Sequence, residues 1–136
     1  MTRVCLDSNV LVAAFAARGL CADLLALVIA EHELVVPEVV AQEVRRVLTT
    51  ELKVGPPAFA ILEAVFERCE VVSDVGAASL LKIRDPSDER ILAEAVGAGV
   101  EILVTGDDDL LTVAEQSPIR ILSPRAFMTL ARGSTL

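Results

Sequence analysis

Val4-Cys5-Leu6-Asp7-Ser8-Asn9-Val10-Leu11-Val12 is an apolar run of strand length that stops at a carboxylate. Polar residues suited to a helix cap follow, and then a second apolar run. The same order returns near the other end, in Leu103-Val104-Thr105-Gly106-Asp107-Asp108-Asp109-Leu110-Leu111. Along the chain, apolar segments of strand length alternate with segments of helical period, which implies βαβ units and a parallel sheet. Working outward, strands are expected at Val4–Leu6, Leu34–Val36, Glu70–Val72, Ile102–Thr105 and Ile119–Leu122. The first helix is expected to begin with Ser8 or Asn9 as its cap. Helices are further expected at Leu20–Glu31, from Pro37 to about Thr49, at Ala58–Arg68, from Asp85 to about Val96, and after Ser123-Pro124. Ser73–Arg84 reads as a loop or a short helix, and Gly55-Pro56-Pro57 as a break. The expected architecture is a single domain, 1–136, of open, doubly wound three-layer α/β/α type with about five parallel strands.

Composition supports a buried aliphatic core. Hydrophobic residues make up 54% of the 136, with four Phe and no Tyr or Trp. The net charge of −8 makes the chain a poor sequence-independent binder of polyanions unless a cation offsets the charge locally. Cys5, Cys21 and Cys69 form neither a disulfide framework nor a zinc pattern, which fits a reducing compartment. The first expected strand begins by residue 4, leaving no room for a signal segment, and no apolar run approaches a membrane span. A cytoplasmic protein without membrane association is expected.

In an open α/β sheet, sites form outside the carboxyl ends of the strands. Asp7 and Asp107 stand there. Crossover helices run antiparallel to the strands, so their first turns reach the same rim, bringing Glu43 and Asp88 to it. Asp7 is flanked by apolar residues and needs a partner or a cation if buried; a plain helix cap is the alternative. At about 100° per residue, Glu43 shares a helical face with Val39, Val40 and Val47, although a boundary Glu reaching water would read the same way. Asp88 shares a face with Ile91, Leu92 and Ala95, while Asp85 can cap that helix, Pro86 open it and Asp88 favour its dipole. Asp107-Asp108-Asp109 exceeds what one cap explains, and a cation would relieve the repulsion; a solvated turn would account for Asp108. Such a set of oxygen ligands, without His or Cys, suits Mg²⁺ or Mn²⁺ rather than zinc.

In order and combination, these motifs resemble the PIN-domain family, in particular its branch of VapC-type toxins from toxin–antitoxin pairs. The matching elements are Leu6-Asp7-Ser8-Asn9, Glu43 within Val39–Val44, Asp88 within Asp85–Ala93, and Val104-Thr105-Gly106-Asp107. The tail Ile119–Phe127 resembles the family's closing strand and helix. The resemblance implies that Asp7, Glu43, Asp88 and Asp107 are the metal-binding and catalytic acids, with Asp109 assisting as a ligand and Asp85 a further candidate. It implies that Ser8, Asn9 and Thr105 orient the acids. It implies a Mg²⁺- or Mn²⁺-dependent ribonuclease, a cognate antitoxin protein as partner, and a homodimer. Arg18, Lys82 and Arg84, in expected loops, are candidate phosphate contacts; solvated surface charge is the plainer account of each. Two other readings stand beside this one. A PIN-like scaffold could bind RNA or protein without cleaving. A haloacid-dehalogenase-like phosphatase would also place an Asp after the first strand and a late Gly-Asp, but it needs a second Asp where this chain has Asn9.

Overall fold

The computed structural model describes residues 1–73 and 81–133. Residues 74–80, within the stretch expected as a loop or short helix, lie outside the described residues. Five strands, β1 (Arg3–Leu6), β2 (Glu33–Pro37), β3 (Glu70–Val72), β4 (Ile102–Val104) and β5 (Arg120–Leu122), form one parallel sheet in the order β3-β2-β1-β4-β5. The register places Cys5 beside Val35 and Leu103, and Leu6 beside Val104. The chain therefore works outward from β1 to β3, then returns to the other flank of β1 for β4 and β5. The direction of winding reverses between β1 and β4, so the adjacent helices diverge there and leave a crevice at the carboxyl ends of those two strands.

Strand alternation divides the core. Val4, Leu6, Val36 and Val104 face one layer, filled by Leu11 of α1 (Ser8–Ala16), Leu24 and Val28 of α2 (Leu20–Glu31), Val40 and Val44 of α3 (Glu38–Arg46), and Leu62 of α4 (Pro56–Arg68). Cys5, Val35 and Leu103 face the other, against Leu92 and Ala95 of α5 (Pro86–Gly97) and Leu110 of α6 (Asp108–Thr112). Phe127 of α7 (Pro124–Gly133) closes the first layer. Full burial of these aliphatic residues supplies the main stabilisation, about 1.5–3 kcal/mol each.

Several helix ends differ from expectation, each for a local reason. Asp7 itself, rather than Ser8 or Asn9, caps α1: its backbone is extended and its side chain accepts from the Ser8 N–H. Pro37 closes β2 and α3 starts after it. The helix expected to reach about Thr49 changes to one wide π turn, Val47–Glu51, where the Thr49 and Thr50 hydroxyls donate to the carbonyls of Arg45 and Arg46 and draw on the helix's own acceptors. Pro56 and Pro57 open α4 instead of preceding it, because the first helical positions need no N–H partner. The short α6 was not anticipated. It explains the acidic triplet in part: Asp107 caps it, and Asp108 and Asp109 occupy its first turn, where the dipole favours carboxylates. Among the described residues no single helix is long and apolar enough to cross a membrane; α1 and α2 meet at 105° and contribute to the core.

Candidate metal centre

Asp7 follows the central strand and is 2% exposed. Its Oδ1 accepts from the Ser8 N–H at 2.8 Å. Its Oδ2 accepts from the Thr105 hydroxyl at 2.7 Å and the Asn9 amide at 3.1 Å. Burial pushes this carboxyl above the ordinary range; the three hydrogen bonds oppose that shift, and the charge of Asp107 adds to it. Thr105 joins the two strand ends, since the hydroxyl that donates to Asp7 accepts from the Asp107 N–H at 2.9 Å. Asn9 makes a second tie, its Oδ1 accepting from the Gly106 N–H at 2.9 Å. A Cβ at Gly106 would stand 3.2 Å from that Oδ1, so the close approach favours glycine. Asp107 accepts from the Asp109 N–H at 2.9 Å through Oδ1.

The third acid comes from α5. Asp85 caps the helix, accepting from the Ser87 N–H at 3.0 Å, and Pro86 opens it. That start buries Asp88 to 4% exposure. Asp88 Oδ2 has no hydrogen-bond partner among the described residues. Burial, then the adjacent Asp107 carboxylate, then Asp7 and Asp85, push its carboxyl up to about 8. One oxygen from each of Asp7, Asp88 and Asp107 lies within 4.8 Å of the other two. Oxygens across a Mg²⁺ ion stand about 4 Å apart, so the group matches a small hard cation with little adjustment. The unpartnered buried oxygen and the hard, all-carboxylate donor set both fit that occupant.

The three acids open into a cleft of about 250 Å³. Glu43 and Val47 line one side of it, and Asp85, Ser87 and Ile91 another. Glu43 thus reaches the same cleft but stands outside the three-acid group and is exposed, because the buried stripe of α3 is Val40, Ala41 and Val44. The expectation that Glu43 lies on the apolar face holds only at its margin. Ser8 and Asn9 line the cleft. Asp109 does not; it is half-buried in the first turn of α6. Arg18, Lys82 and Arg84 are exposed and do not line it. Ser87 was passed over by sequence reasoning, although its place between Asp85 and Asp88 in a proline-started helix puts it on this rim. Glu94 was passed over as well: it is 2% exposed on α5, with Arg90 at 3.4 Å.

Fold and site together define an open parallel α/β domain with a cluster of three carboxylates at its switch point. The PIN domain model matches residues 3–109, and the chain belongs to that family. The match removes the dehalogenase-like alternative. Among solved structures, the chain is similar to one in VapBC2 from Rickettsia felis bound to a DNA fragment from the promoter, at 17% identity and a TM-score of 0.61, over 89% of this chain and 97% of that one. It is similar to one in VapBC-1 from nontypeable Haemophilus influenzae, at 13% identity and a TM-score of 0.64, over 91% of this chain and 99% of that one. At such identities the likeness is one of fold. No curated protein matches the sequence.

Proposed function

We propose that this chain is a Mg²⁺- or Mn²⁺-dependent endoribonuclease, the toxin of a toxin–antitoxin pair. The observation that carries the reading is the convergence of Asp7, Asp88 and Asp107 at the switch point, one with a buried oxygen that nothing in the described protein satisfies. Membership of the PIN family supports nuclease chemistry, and likeness to chains of two VapBC structures supports an antitoxin partner.

Asp7, Asp88 and Asp107 would hold the ion. Once bound, it would supply Lewis acidity toward the phosphodiester and lower the pKa of a coordinated water. Asp7 has both oxygens aimed by hydrogen bonds, so it presents a fixed carboxylate without reorganising. Asp88 must release its proton to bind a cation, so loading strengthens as pH rises toward 8. Glu43 stands across the cleft, where it could orient the attacking water or add a ligand. Val12, Val47 and Ile91 make part of the wall apolar, which strengthens the electrostatic contacts made there. We further propose a homodimer in a reducing cytoplasm, held inactive by an antitoxin that directs a basic side chain at the acids.

The test is cleavage of single-stranded RNA by purified protein with EDTA, Mg²⁺ or Mn²⁺, beside Asp7→Asn. Cleavage only with metal, and lost in the variant by about 10³-fold, is expected. Equal metal-dependent cleavage by the variant would sink the assignment. RNA binding without cleavage under any divalent ion would favour a scaffold.

A further inference from the structure

A nuclease of net charge −8 needs somewhere to hold the rest of a polyanion. Four of the described cations are already paired. Arg3, Arg45, Arg46 and Arg90 are engaged with Glu33 and Glu70, Glu63, Glu51 and Glu94 respectively. Arg120 and Arg125 form no ion pair or side-chain hydrogen bond among the described residues, and both are exposed. They line one open groove of about 540 Å³ between the edge strand β5 and α7. Its other walls are Leu122, Ser123, Ala126, Thr129 and Leu130, so among the described residues no carboxylate lines it. The acid cleft and the groove beside Glu33 and Glu70 both contain acids.

The groove also leads to the site. Side chains alternate along a strand, so Arg120 and Leu122 share a face of β5 and the groove follows the strand direction. Its upper end is Leu122-Ser123, beside the carboxyl end of β4. There the Leu122 carbonyl accepts from the Thr105 N–H at 3.0 Å, and the hydroxyl of that same Thr105 holds Asp7. A single strand lying in the groove would run past Arg120 and Arg125 and arrive at the rim that carries the acids.

We infer that the β5–α7 groove is the track for the RNA strand flanking the cleaved bond, with Arg120 and Arg125 contacting its phosphates. This rests on the nuclease reading above. The groove has one apolar wall and no aromatic ring, so it grips backbone and ribose rather than stacking bases, and it discriminates little by sequence. Arg18, Lys82 and Arg84 are not needed for this role.

The experiment measures binding of a labelled 12-nucleotide single-stranded RNA to full-length Asp107→Asn protein, against salt, by fluorescence anisotropy. Asp107→Asn prevents cleavage while leaving the groove intact. Adding Arg120→Gln and Arg125→Gln is expected to weaken binding about tenfold near 0.1 M salt and to lower the log–log salt slope by about 1.4, the loss of two phosphate contacts on a single strand. Arg68→Gln, at an unpaired arginine lining the groove beside Glu33 and Glu70, serves as the control for a positive charge removed outside the β5–α7 groove and is expected to change neither. Equal weakening by Arg68→Gln, or an unchanged slope in the double variant, overturns the groove while leaving the nuclease reading standing. Absence of RNA binding in the parent, together with absence of cleavage by wild type, overturns both. A 12-residue Glu-rich peptide is the remaining arm. If the double variant loses the peptide but keeps RNA, the groove is a protein-docking site and the inference fails.

Discussion

The two ends of this sheet treat acids in opposite ways. At the amino edge, Arg3 on β1 gathers Glu33 at 2.7 Å and Glu70 at 2.6 Å, donates to the Ala98 carbonyl at 2.7 and 3.1 Å, and offers its backbone N–H to Glu101 at 3.0 Å. Glu33 and Glu70 begin neighbouring strands, and one protein cation pairs with both. At the carboxyl edge, Asp7 and Asp107 follow neighbouring strands and Asp88 joins them from α5, yet among the described residues no cationic side chain lines their cleft. The amino edge is complete as folded. Under the proposed function, a cation from outside would complete the carboxyl edge. The contrast supports the proposed site at the carboxyl edge better than any count of acids does, because acids at the other edge are equally numerous.

The sharpest way to test this difference is at Asp107, which both caps α6 and belongs to the acid group. Asparagine caps a helix about as well as aspartate. Asp107→Asn should therefore lose about 10³-fold in metal-dependent cleavage with little change in unfolding midpoint. Asp107→Ala should lose the same activity and also about 1 kcal/mol of stability by urea denaturation. If the two variants lose equal stability, the cap is not what the side chain contributes. If Asp107→Asn retains activity, the carboxyl edge needs no cation there. Glu43→Gln comes next. Exposed and outside the three-acid group, Glu43 should contribute less, about 10- to 100-fold in kcat. Unchanged Mn²⁺ affinity by calorimetry would assign it to water orientation, and a weakened affinity to ligation.

These roles were unequally legible in the sequence. Asp7 and the strand it ends could be read directly, because a carboxylate between two apolar runs violates the local pattern. The sheet and its five strands were legible for the same reason: short β-branched runs alternate with helical ones. Helix ends were less so. Ser8, Asn9 and Asp7 are all good caps, and only the backbone turn at Asp7 decides among them. The dual use of Asp107 was hidden, since α6 is a five-residue helix with too little periodicity to detect. Glu43 was placed too deep because the wheel gives the angle between side chains but not where the neighbouring helix stops covering them. The three-acid contact depends on β1 and β4 being neighbours, which no local signal records. Arg120 and Arg125 were missed because an exposed arginine means little until a groove is seen to hold two.

A smaller effect separates the edges by pH. Asp88 is pushed up to about 8 and Asp7 is also raised. Below about pH 4 both are protonated folded and unfolded, and their contribution to stability is fully present. As pH rises, the unfolded chain releases protons that the folded chain retains, so the metal-free protein loses stability up to about pH 8. With solvent reaching the cleft, the loss is on the order of 2 kcal/mol. Saturating Mg²⁺ should reverse it, with a gain that grows between pH 5 and 8. Asp88→Asn should unfold at a higher temperature than wild type at pH 8 in EDTA, match it near pH 4, and gain nothing from Mg²⁺. Thermal melts of both proteins across that range provide the check; a variant less stable than wild type at pH 8 without metal would refute the electrostatic account.

The amino edge predicts the reverse pattern, with the smallest effect. Arg3 is partly exposed and its acids are about half exposed, so each ion pair contributes little by itself. Its two bonds to the Ala98 carbonyl add more, because they fix the turn that leads into β4; Gly99 follows at φ +77, a conformation that other residues rarely adopt. Arg3→Met keeps the aliphatic stem and should cost about 1–2 kcal/mol in urea denaturation. The loss should be level from pH 6 to 8, since arginine stays charged across that range. It should not respond to Mg²⁺, and cleavage should stay within about twofold of wild type, because no Arg3 atom lines the acid cleft. Glu33→Gln and Glu70→Gln, combined with Arg3→Met in double-mutant cycles, should show coupling below about 1 kcal/mol each. Small, metal-independent coupling at one edge and only metal-dependent stabilisation at the other would separate an acid cluster that the fold satisfies from one that it leaves for a cation. A Mg²⁺ rescue of Arg3→Met would mean that the two edges communicate through β1, and the division between them would fail.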